Sequence, residues 1–291
     1  MLDRLQAFLD TKNWRVREAA PPGVSPPRDG RPQSGLQPTA DEQLDLADQA
    51  FAARDYETAL SYWVELAHAG DPIAQRSIGQ CFLQGLGIEK SAELALKWLK
   101  LSAEQGDAEG QRQLAEFHFK GEDGFSNEAE ALAWYRRAAV QGNAVAQDML
   151  SWMLAEDDAN PNYDESREWA LKAAAQGSAS SMTRLGLFYH NALGVERDPI
   201  QAAMWWERAA YRNDGDAQAM LGAAYHLGSG RPRDPVEALH WLKRARANAS
   251  PFADRFFEAV TNACTNDQRA QAARRAALPL EAAPTLPGAS A

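Results

Sequence analysis

LGLFYHNALGVERDPIQAAMWWERAA (residues 185–210) and LGAAYHLGSGRPRDPVEALHWLKRA (221–245) are two copies of one pattern, 36 residues apart. Each starts with Leu-Gly in an apolar stretch, crosses a Gly-containing loop and restarts at Asp-Pro ahead of a tryptophan. Asp198 and Asp234 are of the type that caps a helix, because an aspartate side chain accepts hydrogen bonds from the free amides of the first turn. Pro199 and Pro235 then occupy the first helical position, where the missing N–H would have had no partner anyway. Self-similarity at this period is the mark of stacked two-helix units.

Working outward, tryptophan supplies the ruler. Trp98, Trp134, Trp169, Trp205 and Trp241 are separated by 36, 35, 36 and 36 residues, and Tyr62 extends the series backward by 36. Seven residues before each aromatic stand Asp55, Ser91, Asn127, Asn162, Asp198 and Asp234, all good N-caps. Three before it stand Ala59, Ala95, Ala131, Ser166, Ala202 and Ala238, small enough to let two helices approach closely. Eight after it stand Gly70, Gly106, Gly142, Gly177, Asn213 and Ala249; glycine, then asparagine, suits the left-handed residue that ends a helix. A preceding helix carries the pairs Ile78–Gly79, Leu114–Ala115, Leu150–Ser151, Leu185–Gly186 and Leu221–Gly222, with Phe82, His118, Leu154, Tyr189 and Tyr225 one turn later. Such a hairpin cannot bury its apolar face alone, so neighbours must stack.

With IGQCFLQGLGIEKSAELALKWLKLSAEQGDA (78–108), these patterns closely resemble the Sel1-like repeat family, a relative of the tetratricopeptide repeat, over roughly residues 71–250. ADQAFAARDYETALSYW (47–63) has a shorter turn and looks more like a tetratricopeptide repeat. The resemblance implies an all-α solenoid, a right-handed superhelix of antiparallel helix pairs with a C-terminal capping helix, whose first helices line the concave surface. It further implies a protein–protein interaction scaffold or adaptor. The third full unit departs from the pattern: AEDDANPNYDES (155–166) is acidic and lacks the loop glycines, so a local bulge is open there.

The expected organisation is a short amphipathic segment (1–14), a Pro-rich disordered linker (15–40), a solenoid (41–266) and a polar helix with a disordered tail (267–291). Within the solenoid the units are 41–70, 71–106, 107–142, 143–177, 178–213 and 214–249, with a cap at 250–266 in which Phe252, Phe256 and Val260 share a face. The amphipathic segment reads either as a docking peptide or as a frayed helix without a role.

The formal net charge is −10, and residues 41–250 alone carry −12. Such a body repels nucleic-acid phosphates and anionic lipid and suits a basic protein or peptide, although charge of this size also serves solubility. No 18-residue apolar run and no signal-peptide pattern is present, and Cys81 and Cys264 lie far apart, outside any metal-ligand spacing. The expectation is therefore a cytoplasmic protein without membrane insertion, with no cofactor and no small-molecule substrate.

No phosphate loop, dinucleotide fingerprint, zinc motif or nucleophile elbow occurs. His190 and His226, equivalent residues 36 apart, are the one candidate polar pair, and nothing near them completes a ligand set. The register aromatics Tyr62, Trp98, Trp134, Trp169, Trp205 and Trp241 read as core between helices. Trp63, Tyr135 and Trp206, one residue later, read as partly exposed and, with Trp152, His190 and His226, form the candidate partner-contact set. Two rivals to the scaffold stay open: an immunity-type inhibitor that clasps a target enzyme, and a hydrolase acting on cell-wall or β-lactam substrates.

Overall fold

The computed structural model describes residues 38–121, 124–157 and 159–280. The expected 1–14 segment, nearly all of the Pro-rich linker and the end of the tail lie outside them. The described residues hold fourteen α-helices and no strand. They form six hairpins: α1 (Ala40–Ala52) with α2 (Tyr56–His68), α3 (Pro72–Gln84) with α4 (Ala92–Glu104), and α5 (Ala108–Lys120) with α6 (Glu128–Val140). Then follow α7 (Ala144–Ala155) with α8 (Tyr163–Ala175), α9 (Ala179–Asn191) with α10 (Pro199–Ala210), and α11 (Gly215–Leu227) with α12 (Pro235–Ala247). Two closing helices, α13 (Ala253–Ala263) and α14 (Asn266–Ala277), complete an all-α repeat solenoid. The chain divides into two compact units, residues 1–131 and 132–291, the division falling inside α6.

Each repeat starts and stops as its sequence dictates. Asp55, Ser91, Asn127, Asn162, Asp198 and Asp234 all accept a first-turn amide of the helix that follows. Gly70, Gly106, Gly142 and Gly177 have φ of 97°, 94°, 91° and 97°, and Asn213 and Ala249 take the same left-handed turn at 65° and 55°. A second series of caps, Asp71, Asp107, Asn143, Ser178 and Asp214, opens α3, α5, α7, α9 and α11. Across every loop the amide of the second helix's cap donates back to the first helix: Ser91 to Phe82 O, Asn127 to His118 O, Asn162 to Leu154 O, Asp198 to Tyr189 O and Asp234 to Tyr225 O. The acidic, glycine-free 155–162 loop keeps this tie at 2.8 Å, so its irregularity is confined to its tip.

In unit 1, helices α1 to α5 pack in succession around Ala59, Leu60, Trp63, Ile78, Phe82, Ala95 and Trp98. In unit 2, α7 to α12 do the same around Leu185, Phe188, Ala202, Trp206, Leu221 and Trp241. Both α13 and α14 pack on α12, and Val260 and Ala272 cover Val236, Leu239 and Leu242. The small register residues Ala59, Ala95, Ala131, Ser166, Ala202 and Ala238 are fully buried, as close helix approach requires.

The position after the register aromatic is corrected from surface to core. Trp63, Tyr135 and Trp206 are not partly exposed; they retain 2%, 2% and 4% of their surface. Leu99, Ala170 and Leu242 hold the same position and are equally buried. The reason is local. In α10 this position points at Gly186 of α9, whose missing Cβ leaves the space for the Trp206 ring: a Cβ there would lie 2.2 Å from the indole nitrogen. Leu99 against Gly79 and Leu242 against Gly222 repeat the arrangement. The residue before it, the register aromatic, faces the preceding hairpin instead, as Trp98 meets His68 at 6.2 Å and Trp241 meets Tyr211 at 5.3 Å. Tyr62 and Trp205 are accordingly only half-buried, whereas Trp98, Trp134, Trp169 and Trp241 are buried.

Candidate partner-binding surface

With the pattern residues engaged in packing, the variable side chains are what the repeat presents outward, and two clefts open beside the first helices and their loops. In unit 1, Gln80, Leu83 and Gln84 of α3 face Arg112, Glu116 and Lys120 of α5 across a cleft of about 170 Å³. Arg112 bridges Glu109 and Glu116 at 2.7 and 2.6 Å, so this wall is an internally paired polar surface.

In unit 2 a cleft of about 410 Å³ opens beside the α7–α8 loop. Phe188 and Leu193 supply apolar lining, Tyr163 and Arg184 stand in the wall, and exposed Glu156 and Asp157 lie at the loop. Arg184 is fixed from behind, its Nη1 lying 3.1 Å from Asp148 Oδ1 and 3.2 Å from Ser151 Oγ. Asp148 also accepts from Ser180 Oγ at 2.6 Å and from Ser181 Oγ. Burial alone would raise the Asp148 pKa, but the Arg184 charge and the two hydroxyls outweigh it and hold the carboxyl below its usual range.

A further polar system runs between hairpins and was not anticipated. Gln75, Gln111, Gln147 and Gln218, all buried, donate to Ala67 O, Ala103 O, Ala139 O and Ala210 O near the end of the preceding helix, each eight residues back. Their amide oxygens accept in turn: Gln75 from Gln105, Gln147 from Gln176 and Gln218 from Asn248. A polar residue recurring inside an apolar face at the 36-residue period was the available signal. At the fourth equivalent position stands Met182, and the Asp148–Ser181–Arg184 group occupies that joint.

The candidate contact residues do not form one exposed patch, because three of them are buried, although His190 and Trp206 do meet. Trp63, Tyr135 and Trp206 are core. Trp152 is half-buried on α7. His190 is half-buried against Trp206 at 5.4 Å, and burial, then Arg197, lowers its pKa. His226 lies 6.3 Å from Phe256 of α13, under the closing helices. Each histidine thus has its own aromatic neighbour. His240, given no role from sequence, is buried beside Trp241 at 4.7 Å, and burial, then Arg244 and Arg275, pushes its pKa down to about 4. Among the described residues no three His, Cys, Asp or Glu side chains are grouped to hold a metal ion, and no helix is long and apolar enough to cross a membrane.

Comparison with known proteins places this geometry. The crystal structure of c5321, described as a protective antigen present in uropathogenic Escherichia coli strains displaying an SLR fold, is 33% identical over 81% of this chain, with a TM-score of 0.77. The match covers 52% of that antigen, so this chain spans about half its length. The crystal structure of a Sel1 repeat protein from Oxalobacter formigenes is 32% identical over 79% of this chain and 97% of its own, with a TM-score of 0.69. No curated protein matches the chain in sequence. The Sel1 repeat family model matches residues 72–107, 108–143, 144–178, 179–214 and 215–250. With five contiguous matches covering most of its length, the chain belongs to the Sel1 repeat family.

Proposed function

We propose that this chain is a non-catalytic scaffold that binds a protein or peptide partner through its first helices and the loops beside them. The observation that carries this reading is the unit 2 cleft: the partly exposed apolar side chains of Leu187 and Leu193 with exposed Glu156 and Asp157 beside them suit a basic side chain that has an aliphatic stem. Arg184, anchored to Asp148, gives the wall a fixed shape, and a preformed site loses little entropy when a ligand binds. The −12 charge of residues 41–250 favours the same class of partner. A reducing, cytoplasmic setting agrees with two buried, unpaired thiols, of which Cys81 is pushed up to about 12 by burial.

The test is capture of partners from the native cell with tagged protein, followed by titration of each purified partner against wild type and Glu156→Lys/Asp157→Lys. A direct complex weakened about tenfold or more by charge reversal is expected. Equal binding by both forms removes the cleft from the reading. Turnover of a β-lactam or of peptidoglycan by purified protein, abolished by His190→Ala or His226→Ala, would make the chain an enzyme instead.

A further inference from the structure

Three cations in unit 2 share one register and lack an anionic partner. Arg137, Lys172 and Arg208 each follow a register tryptophan by three residues, about one helical turn, and lie over Trp134, Trp169 and Trp205 at 4.2, 3.8 and 4.5 Å from the ring centroids. They are 35 and 36 residues apart. None forms an ion pair among the described residues; Glu165 is taken by Arg136 at 2.8 Å, and Glu168, one turn before Lys172, is not paired with it. The α12 counterpart, Arg244, instead donates to the carbonyl oxygens of Arg275 and Leu278 at the end of α14. In unit 1 the same register carries Glu65 and Leu101, so the series belongs to unit 2 alone.

In a body with twelve excess negative charges over residues 41–250, a cation without a carboxylate is not short of candidates. The indole holds each side chain against its face while leaving the other side of the cation open. At Arg208 the field is locally positive: burial, then the neighbouring Arg212, lowers its pKa. The shared register puts the three on the same face of the successive second helices α6, α8 and α10.

We propose that Arg137, Lys172 and Arg208 form a docking ladder for an extended acidic segment of a partner protein. A polyproline-II chain presents every third residue on one face, so an acidic segment of this form offers a row of carboxylates to a row of cations that have none of their own. A nucleic acid fits less well, because its closely spaced phosphates extend past the ladder onto a protein of net charge −10. The ladder shares no residue with the α7–α8 cleft and stands independently of the partner assigned to it.

The probe is a dye-labelled peptide of repeated Glu-Pro-Pro triplets, titrated against the full chain by fluorescence anisotropy at low and at physiological salt. Binding that weakens with salt is expected, with a loss of about tenfold in Arg137→Gln/Lys172→Gln/Arg208→Gln at unchanged helical circular dichroism. Lys172→Glu alone, at an exposed position, is expected to lose about threefold and covers the case in which the triple variant misfolds. No binding at low salt, binding untouched by Lys172→Glu, or equal binding of a Lys-Pro-Pro peptide overturns the proposal. So does a single-stranded oligonucleotide that binds more tightly than the acidic peptide.

Discussion

Trp206 occupies a space that only glycine leaves open, and its Nε1 donates to Thr183 O at 3.3 Å. Alanine is the better helix former at Gly186 by about 1 kcal/mol, yet its methyl would enter the ring. Gly186→Ala should therefore destabilise the protein by about 1–3 kcal/mol in urea unfolding, and Gly186→Ala/Trp206→Leu should recover part of the loss. His240 tests burial in another way. Folded, it takes a proton only near pH 4, whereas an unfolded chain takes it near 6.5. Unfolding then binds a proton between those values, so this contribution is intact above pH 6.5 and falls by about 3 kcal/mol as the pH drops through the window. His240→Gln should flatten that part of the stability–pH curve relative to wild type. At this scale the sequence was legible to within one residue. The 36-residue period marked an aromatic column, but period alone does not distinguish the residue that meets its own hairpin from its neighbour, about 100° around the helix, that meets the preceding one. That difference moved Trp63, Tyr135 and Trp206 from the expected surface into the core.

The helices themselves were legible because their ends are chemically specific. A cap needs a short acceptor side chain and a reversal needs a residue that tolerates positive φ, and each was found at a fixed offset from the ruler. Asn162, which restores the register after the irregular loop, is the sharpest case: Asn162→Ala should cost about 1 kcal/mol in thermal unfolding. The glutamine straps were not anticipated, because a buried amide reads as ordinary polar sequence until its acceptor is known. Gln218→Leu removes the donor to Ala210 O and the acceptor for Asn248, and should destabilise by about 1–3 kcal/mol. Gly230 records how tightly successive hairpins meet: at φ 73°, a Cβ would lie 1.9 Å from Pro199 O. The clefts were the least legible feature, since they depend on residues that the repeat leaves free, such as Glu156 and Asp157.

For the molecule as a whole, an array of hairpins needs an end. Val260, Cys264 and Ala272 cover the last apolar face, so a chain ending at Ala249 should expose Val236, Leu239 and Leu242 and associate, as light scattering would report. The joints from α2 to α3, α4 to α5, α6 to α7 and α10 to α11 are strapped by a neutral amide, whereas the hairpin carrying α9 is tied to α7 by the carboxylate of Asp148. An amide does not titrate; a carboxylate with a depressed pKa loses its contribution as acid approaches that pKa. Only acid stronger than the ordinary aspartate range should therefore loosen the α7–α9 contact, with amide exchange in α9 rising as Asp148 takes up its proton.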